Sequence, residues 1–158
     1  MEEKAPAERR FVVDSMLGKM AKWLRVLGFD TRYEHLNGQG QLQAYRSEGY
    51  LVLTRNQRWC AQPGVMCVAA NEPTEQLREL VSRLSVTPVE VHLLKRCIIC
   101  NEPLNEVWRE KVLGLVPDYV FETQTTFYEC PRCRRVYWPG SHPERMLKRL
   151  QDVLGWVL

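Results

Sequence analysis

Four cysteines fall in two identical spacings, Cys97-x-x-Cys100 and Cys130-x-x-Cys133. Thiolates are the soft donors a tetrahedral zinc ion takes at about 2.3 Å, and two intervening residues let one short loop hold adjacent corners. The first pair is followed by Asn101, Glu102 and Pro103, and the second encloses Pro131 and Arg132, as in tight metal-binding turns. Two such knuckles separated by strand-forming sequence make the pattern of a zinc ribbon. The expected cofactor is therefore a structural Zn²⁺ on Cys97, Cys100, Cys130 and Cys133. Four thiolates fill the shell and leave no position for water or substrate, so a catalytic zinc is not expected. His142 then falls to a loop or cap.

Two disulfides, or four unrelated core thiols, would produce the same spacing, the former in a secreted chain. This sequence opens Met-Glu-Glu-Lys-Ala-Pro, and its first apolar run, Phe11 to Val13, is far shorter than a secretory segment. Cys60 and Cys67 have no motif partner and read as ordinary thiols of a reducing compartment. The expectation is a cytoplasmic protein with zinc in place of disulfides.

The 158 residues, 45% of them apolar, allow one ordinary domain, or a smaller domain with a metal-held module. No stretch approaches the roughly 20 apolar residues that span a bilayer, so no membrane partner is expected. The formal net charge is +3. A loaded zinc site lowers it to about +1, because four thiolates outweigh one divalent cation by two charges. Bulk charge therefore does not mark a nucleic-acid binder. Only local clustering can.

Elements that could position these groups follow from hydrophobic periodicity. Residues 1–10 are polar and read as a tail, and Phe11 to Val13 as a buried strand. Leu17, Met20, Ala21, Leu24 and Leu27 recur at helical spacing, and Gly28 ends that helix. Further strands are expected at Phe29–Glu34, Tyr50–Thr54 and Val65–Ala69, with helices at Gln41–Ser47 and Glu75–Leu84. This alternation predicts a parallel sheet with right-handed crossovers over residues 11–94. Val89–Leu94 reads as a strand leading into a zinc ribbon over residues 95–143, with Val107–Val116 and Tyr119–Tyr128 as its strand material. Residues 144–158 form a terminal helix packed on the α/β domain, its start marked by the capping-box spacing Ser141 to Glu144.

The carboxyl edge of a parallel sheet gathers residues from successive strand ends into one crevice. Here that edge holds Asp14, then Arg55, Asn56 and Arg58, while the first helix adds Lys19, Lys22 and Arg25. A carboxylate beside a basic rim suits a phosphodiester: acids hold Mg²⁺, and Lys and Arg position phosphates. Singly, Asp14 also reads as a helix cap and the cations as a solvated helix face. Arg132, Arg134 and Arg135 crowd the second knuckle beside Tyr137 and Trp138, either gripping nucleic acid or offsetting thiolate charge over a small aromatic core.

The run Phe11-Val-Val-Asp-Ser-Met-Leu-Gly-Lys-Met-Ala-Lys-Trp-Leu-Arg-Val-Leu-Gly-Phe-Asp30 resembles the mut-seven C-terminal ribonuclease-domain family, a PIN-like group. Leu53-Thr54-Arg55 resembles its third-strand signature. Cys97 to Asn101, and Cys130 through Tyr137-Trp-Pro-Gly-Ser-His142, are similar to its appended zinc ribbon. The resemblance runs from about Phe11 to Met146. It implies a PIN-like three-layer α/β/α sheet, a zinc ribbon and, in active relatives, a metal-dependent ribonuclease acting on RNA with Mg²⁺ or Mn²⁺ at clustered carboxylates.

Asp14 matches the first of those acids. Asn56 is a departure, since family members typically carry Asp there. Leu36 to Gln43, where the family often supplies another acid, contains no carboxylate. A thinned set weakens a Mg²⁺ site held mainly by charge, and catalytic roles for Asp14 and Asn56 compete with RNA binding without cleavage, or with a protein-interaction module.

Overall fold

Phe11 and Val13 are buried against Leu24, Leu27, Leu77 and Leu80, whereas Val12 is buried against Leu42, Val52 and Trp59. Successive strand side chains point to opposite faces, so this division means that both faces of the sheet are covered. In the computed structural model, which describes residues 8–140 and 142–157 without the side chains of residues 142–144, the strand is β1 (Arg10–Asp14). It begins on the last residue of the expected tail, and Arg9 hydrogen-bonds the Leu84 carbonyl at 2.8 Å. Glu8 pairs with Lys95, while residues 1–7 of that tail, and the side chains of the capping-box spacing at Ser141 to Glu144, lie outside the described residues.

The α/β domain continues through α1 (Gly18–Val26), β2 (Asp30–Glu34), α2 (Gln39–Ser47), β3 (Leu51–Thr54), β4 (Val65–Cys67) and α3 (Pro73–Leu84). The four strands are parallel in the order β2-β1-β3-β4, with β2 at an edge. Helices α1 and α3 cover one face and α2 the other, giving the expected three layers. Each fully buried Leu or Phe here contributes about 1.5–3 kcal/mol over its exposed state.

Gly28 ends α1 with φ +96°, and a Cβ there would stand 2.2 Å from the His92 carbonyl oxygen. That contact explains why the expected strand at Val89–Leu94 does not form. Thr87 and Glu90 make a reciprocal capping box around a short 3-10 turn, Pro88–Glu90. The connector then crosses the end of α1, where the His92 amide donates to the Leu27 carbonyl at 2.9 Å.

The metal module is a three-stranded antiparallel sheet of β5 (Asn105–Val107), β6 (Phe127–Glu129) and β7 (Val136–Tyr137). The long strands expected at Val107–Val116 and Tyr119–Tyr128 are largely replaced by a helical insert. It comprises a 3-10 turn, Arg109–Val112, and α4 (Asp118–Thr123). Val112 at the end of the turn, Val116 in the bend after it and Val120 on α4 are buried together on Phe127. Trp138 packs on the same ring, with centroids 6.5 Å apart.

The final helix, α5 (His142–Leu154), buries Leu150 in the cluster that holds Leu24 and Leu80. Cys97, Ile98, Cys130 and Tyr137 belong to this cluster too, so the metal knuckles rest on the main core. Trp23, off the main apolar stripe, is buried there as well.

One cysteine expectation is overturned. Cys60 and Cys67 are joined as a disulfide, their Cα atoms 5.4 Å apart, instead of remaining free thiols. The turn after β3 carries Cys60 back beside the end of β4, a proximity that linear spacing does not reveal. They therefore no longer argue for a reducing compartment.

Candidate metal centre and carboxyl-edge site

The two knuckles are built alike. The Cys97 amide donates to the Glu102 carbonyl and the Cys130 amide to the Arg135 carbonyl, both at 2.9 Å. Within each turn the second cysteine's amide points at the first sulfur, 3.4 Å away, from Cys100 to Cys97 and from Cys133 to Cys130. The chain leaves each turn through a left-handed residue, Asn101 (φ +63°) and Arg134 (φ +66°). All four Sγ atoms lie within 4.8 Å of one another, and Cys97 Sγ is 3.7 Å from Cys133 Sγ. A tetrahedron with 2.3 Å bonds has edges of about 3.8 Å, so four thiolates placed this way fit zinc. The Tyr137 hydroxyl sits 3.1 Å from Cys97 Sγ and accepts from the Ile98 amide at 3.3 Å, orienting the ligand from behind. Burial, and then the contact with Cys97, push the Tyr137 hydroxyl pKa up, keeping it a donor.

Asn101 ties the first knuckle to the sheet edge. Its Oδ1 accepts from the Thr31 amide at 2.9 Å, and its Nδ2 donates to Asp30 Oδ1 at 2.7 Å. Arg25 closes the same junction, donating to the carbonyls of Thr31, Ile98 and Ile99 at 2.9, 2.9 and 3.2 Å. Burial alone would raise the Asp30 carboxyl, but hydrogen bonds from Asn101 and Arg10 outweigh it and hold it below the usual carboxylate range. Asp30 begins β2 and so lies at the opposite sheet edge from Asp14.

At the carboxyl edge, Asp14 is buried and occupied. Its Oδ1 accepts from the amides of Ser15 (2.8 Å) and Leu36 (3.3 Å), and its Oδ2 from the Thr54 hydroxyl (2.7 Å). Thr54 Oγ1 in turn accepts from the Asn56 amide at 3.1 Å, which brings Asp14 and Asn56 together through one hydroxyl. The Asn56 side-chain oxygen caps the next turn by accepting from the Arg58 amide at 3.1 Å. Glu34 is the register partner of Asp14 on β2, and burial first, then Glu34, raise the Tyr45 hydroxyl pKa. Among the described residues, the four cysteines form the cluster of three or more His, Cys, Asp or Glu ligands; the carboxyl edge forms none.

The basic residues divide by location. Lys19 and Lys22 are exposed and, with Arg25, line a cavity of about 470 Å³ over α1 that reaches Tyr33, Ile98 and Ile99. Arg55 donates to Asn71 at 2.6 Å, and Arg58 is exposed at the turn that Asn56 caps. Of the knuckle arginines, Arg134 pairs with Glu129 at 2.8 Å and Arg135 hydrogen-bonds Cys133, while Arg132 faces the cavity beside β2.

Sequence reasoning passed over Arg32 and Arg96, named Thr54 and Asn101 only as parts of motifs, and weighed Tyr137 only as a stacking or core aromatic. Asn101 carried a readable signal: asparagine is the residue besides glycine that readily turns left-handed directly after a knuckle. Among the described residues no helix is long and apolar enough to cross a membrane. No curated protein and no solved structure matches the chain. The family model described as the Mut7-C RNAse domain matches residues 9–150, which spans the parallel sheet, both knuckles and most of the final helix; the chain belongs to the Mut7-C RNAse domain family.

Proposed function

We propose that this chain binds RNA along the carboxyl edge of its sheet and the exposed face of α1, and does not cut it. The observation that carries this reading is the setting of Asp14: three donors of the fold itself bond its oxygens, leaving Oδ2 with one lone pair, and among the described residues no cluster of three ligand groups forms at this edge. Mg²⁺ needs near-octahedral oxygen coordination anchored by carboxylate charge. Asn56 offers no charge and uses its oxygen on Arg58, and Glu34 is engaged by Tyr45. The residues at this edge do not fit a catalytic Mg²⁺ or Mn²⁺, so no hydrolytic step is derived. Lys19, Lys22, Arg55 and Arg58 remain suited to phosphates. The zinc ion is structural.

The test incubates labelled RNA and Mn²⁺ with the zinc-loaded chain and with Asp14→Asn. Both should bind RNA, with affinity falling as salt rises, and neither should cleave it above background. Cleavage that requires Mn²⁺ and disappears in Asp14→Asn refutes the reading.

A further inference from the structure

Four arginines from separate parts of the chain meet in one cavity of about 490 Å³ between β2 and the first knuckle: Arg25, Arg32, Arg96 and Arg132. Among the described residues none of the four forms an ion pair. The acids lining the same cavity make no direct ion pair with them, and Asp30 acts on Arg25, Arg32 and Arg96 only at longer range. Asp30 pairs with Arg10 and accepts from Asn101, Glu34 is engaged by Tyr45, and Glu102 is half-buried at the wall. Arg25 and Arg96 donate to neutral carbonyls, and Arg32 to the Tyr50 hydroxyl. The Arg96 Nε–H is buried with no partner at all. Like charges crowd where a desolvated donor lacks an acceptor, an arrangement completed by an anion with several oxygens.

This cavity shares Arg25, Tyr33 and Ile99 with the one over α1 that holds Lys19 and Lys22. Tyr33 is 46% exposed, offering a flat ring face beside the arginines, and Ile99, 53% exposed, adds an apolar aliphatic surface. The Tyr33 hydroxyl donates to the Ser15 carbonyl at 2.6 Å, which fixes the ring at the mouth of the groove. Unpaired bases stack on such rings, and duplex bases do not expose a face.

We infer that this groove is a single-stranded RNA subsite, in which Arg32, Arg96 and Arg132 donate to backbone phosphates and a base stacks on Tyr33. The inference rests on the RNA-binding reading and adds to it that the zinc module forms half of the site. Arg96 enters the first knuckle and Arg132 sits inside the second, so the metal sets their spacing.

The experiment measures binding of a labelled oligouridine across a salt series, using zinc-loaded full-length chain. Variants are Arg32→Ala with Arg132→Ala, Tyr33→Ala, Lys19→Ala with Lys22→Ala, and a charge-matched control on α5, Arg145→Ala with Lys148→Ala. Zinc content and Tm are checked for each. The arginine pair should lose about tenfold in affinity and flatten the log–log salt slope by about 1.4, two contacts at about 0.7 each for single strands. Tyr33→Ala should weaken binding with an unchanged slope. Equal losses in the α5 control, or no loss in the arginine pair while the lysine pair weakens, overturn the groove and leave the RNA-binding reading standing. Duplex RNA bound as tightly as the single strand also overturns it. A wild-type chain that binds no RNA overturns both.

Discussion

Replacing Asn101 separates two contributions that the structure superimposes on one residue. Asn101→Ala removes the bond to Asp30, which is charge-assisted, and the bond from the Thr31 amide. Charge-assisted bonds contribute about 1.5–3 kcal/mol and neutral ones about 1. Alanine also pays the left-handed cost at φ +63°, about 1–2 kcal/mol. Asp30 is partly open to water, its side chain 16% exposed, which places the sum near the low end, about 3.5 kcal/mol. At about 2–4 °C per kcal/mol for a chain of this size, Tm should fall by about 7–14 °C. Asn101→Gly loses the same bonds without the backbone strain and should retain about 1 kcal/mol relative to alanine. Thermal and urea unfolding of the zinc-loaded variants supply the comparison. A glycine variant less stable than alanine, or an alanine variant within about 0.5 kcal/mol of wild type, would refute the reasoning.

Chelating the zinc should loosen β5–β7 while leaving the parallel sheet protected, read as faster deuterium uptake over residues 95–138; uniform protection with and without metal contradicts a structural role. Cys60→Ser with Cys67→Ser should cost about 2.5 kcal/mol, the chain-entropy value for so short a loop, and abolish any effect of reductant on Tm; a wild-type Tm indifferent to reductant contradicts the bond. Asp30 has its folded pKa depressed, so its contribution to stability is present above the unfolded carboxylate value near 3.9 and is lost as pH falls through the lower folded value. Acid unfolding of Asp30→Asn should therefore be less steep below about pH 4, and superimposable profiles would remove Asp30 from the latch.

Both fold and metal site were largely legible before any coordinates. The paired Cys-x-x-Cys spacings named the four sulfurs that converge, and the alternation of β-favouring runs with helical stripes named all four parallel strands. Failures came where local pattern is ambiguous. Val112, Val116 and Val120 sit in β-branched sequence, and a spacing of four puts them on one face of a strand as well as of a helix, so only the folded insert reveals how they pack on Phe127. Val89–Leu94 has strand composition, but Gly28 leaves room for its carbonyl against α1 and no strand lies alongside to pair with it. Cys60 and Cys67 lacked any motif, and only the turn after β3 brings them together.

Composition and spacing alone determined the four-thiolate centre and the layered sheet, because each depends on local geometry: knuckle bite, strand alternation and helix period; the family followed from the resemblance of the longer motifs. What individual polar residues do was decided by tertiary structure. Arg25 carries the charge of a phosphate binder, yet its donors are directed at carbonyls 73 and 74 residues away. Asp14 has the chemistry of a metal ligand, but Leu36 and Thr54, 22 and 40 residues distant, already supply donors to its oxygens. A hydrogen bond forms only within about 3 Å and in the right direction. Such partners are fixed when the chain has folded, and their identity follows from the packing that brings them there.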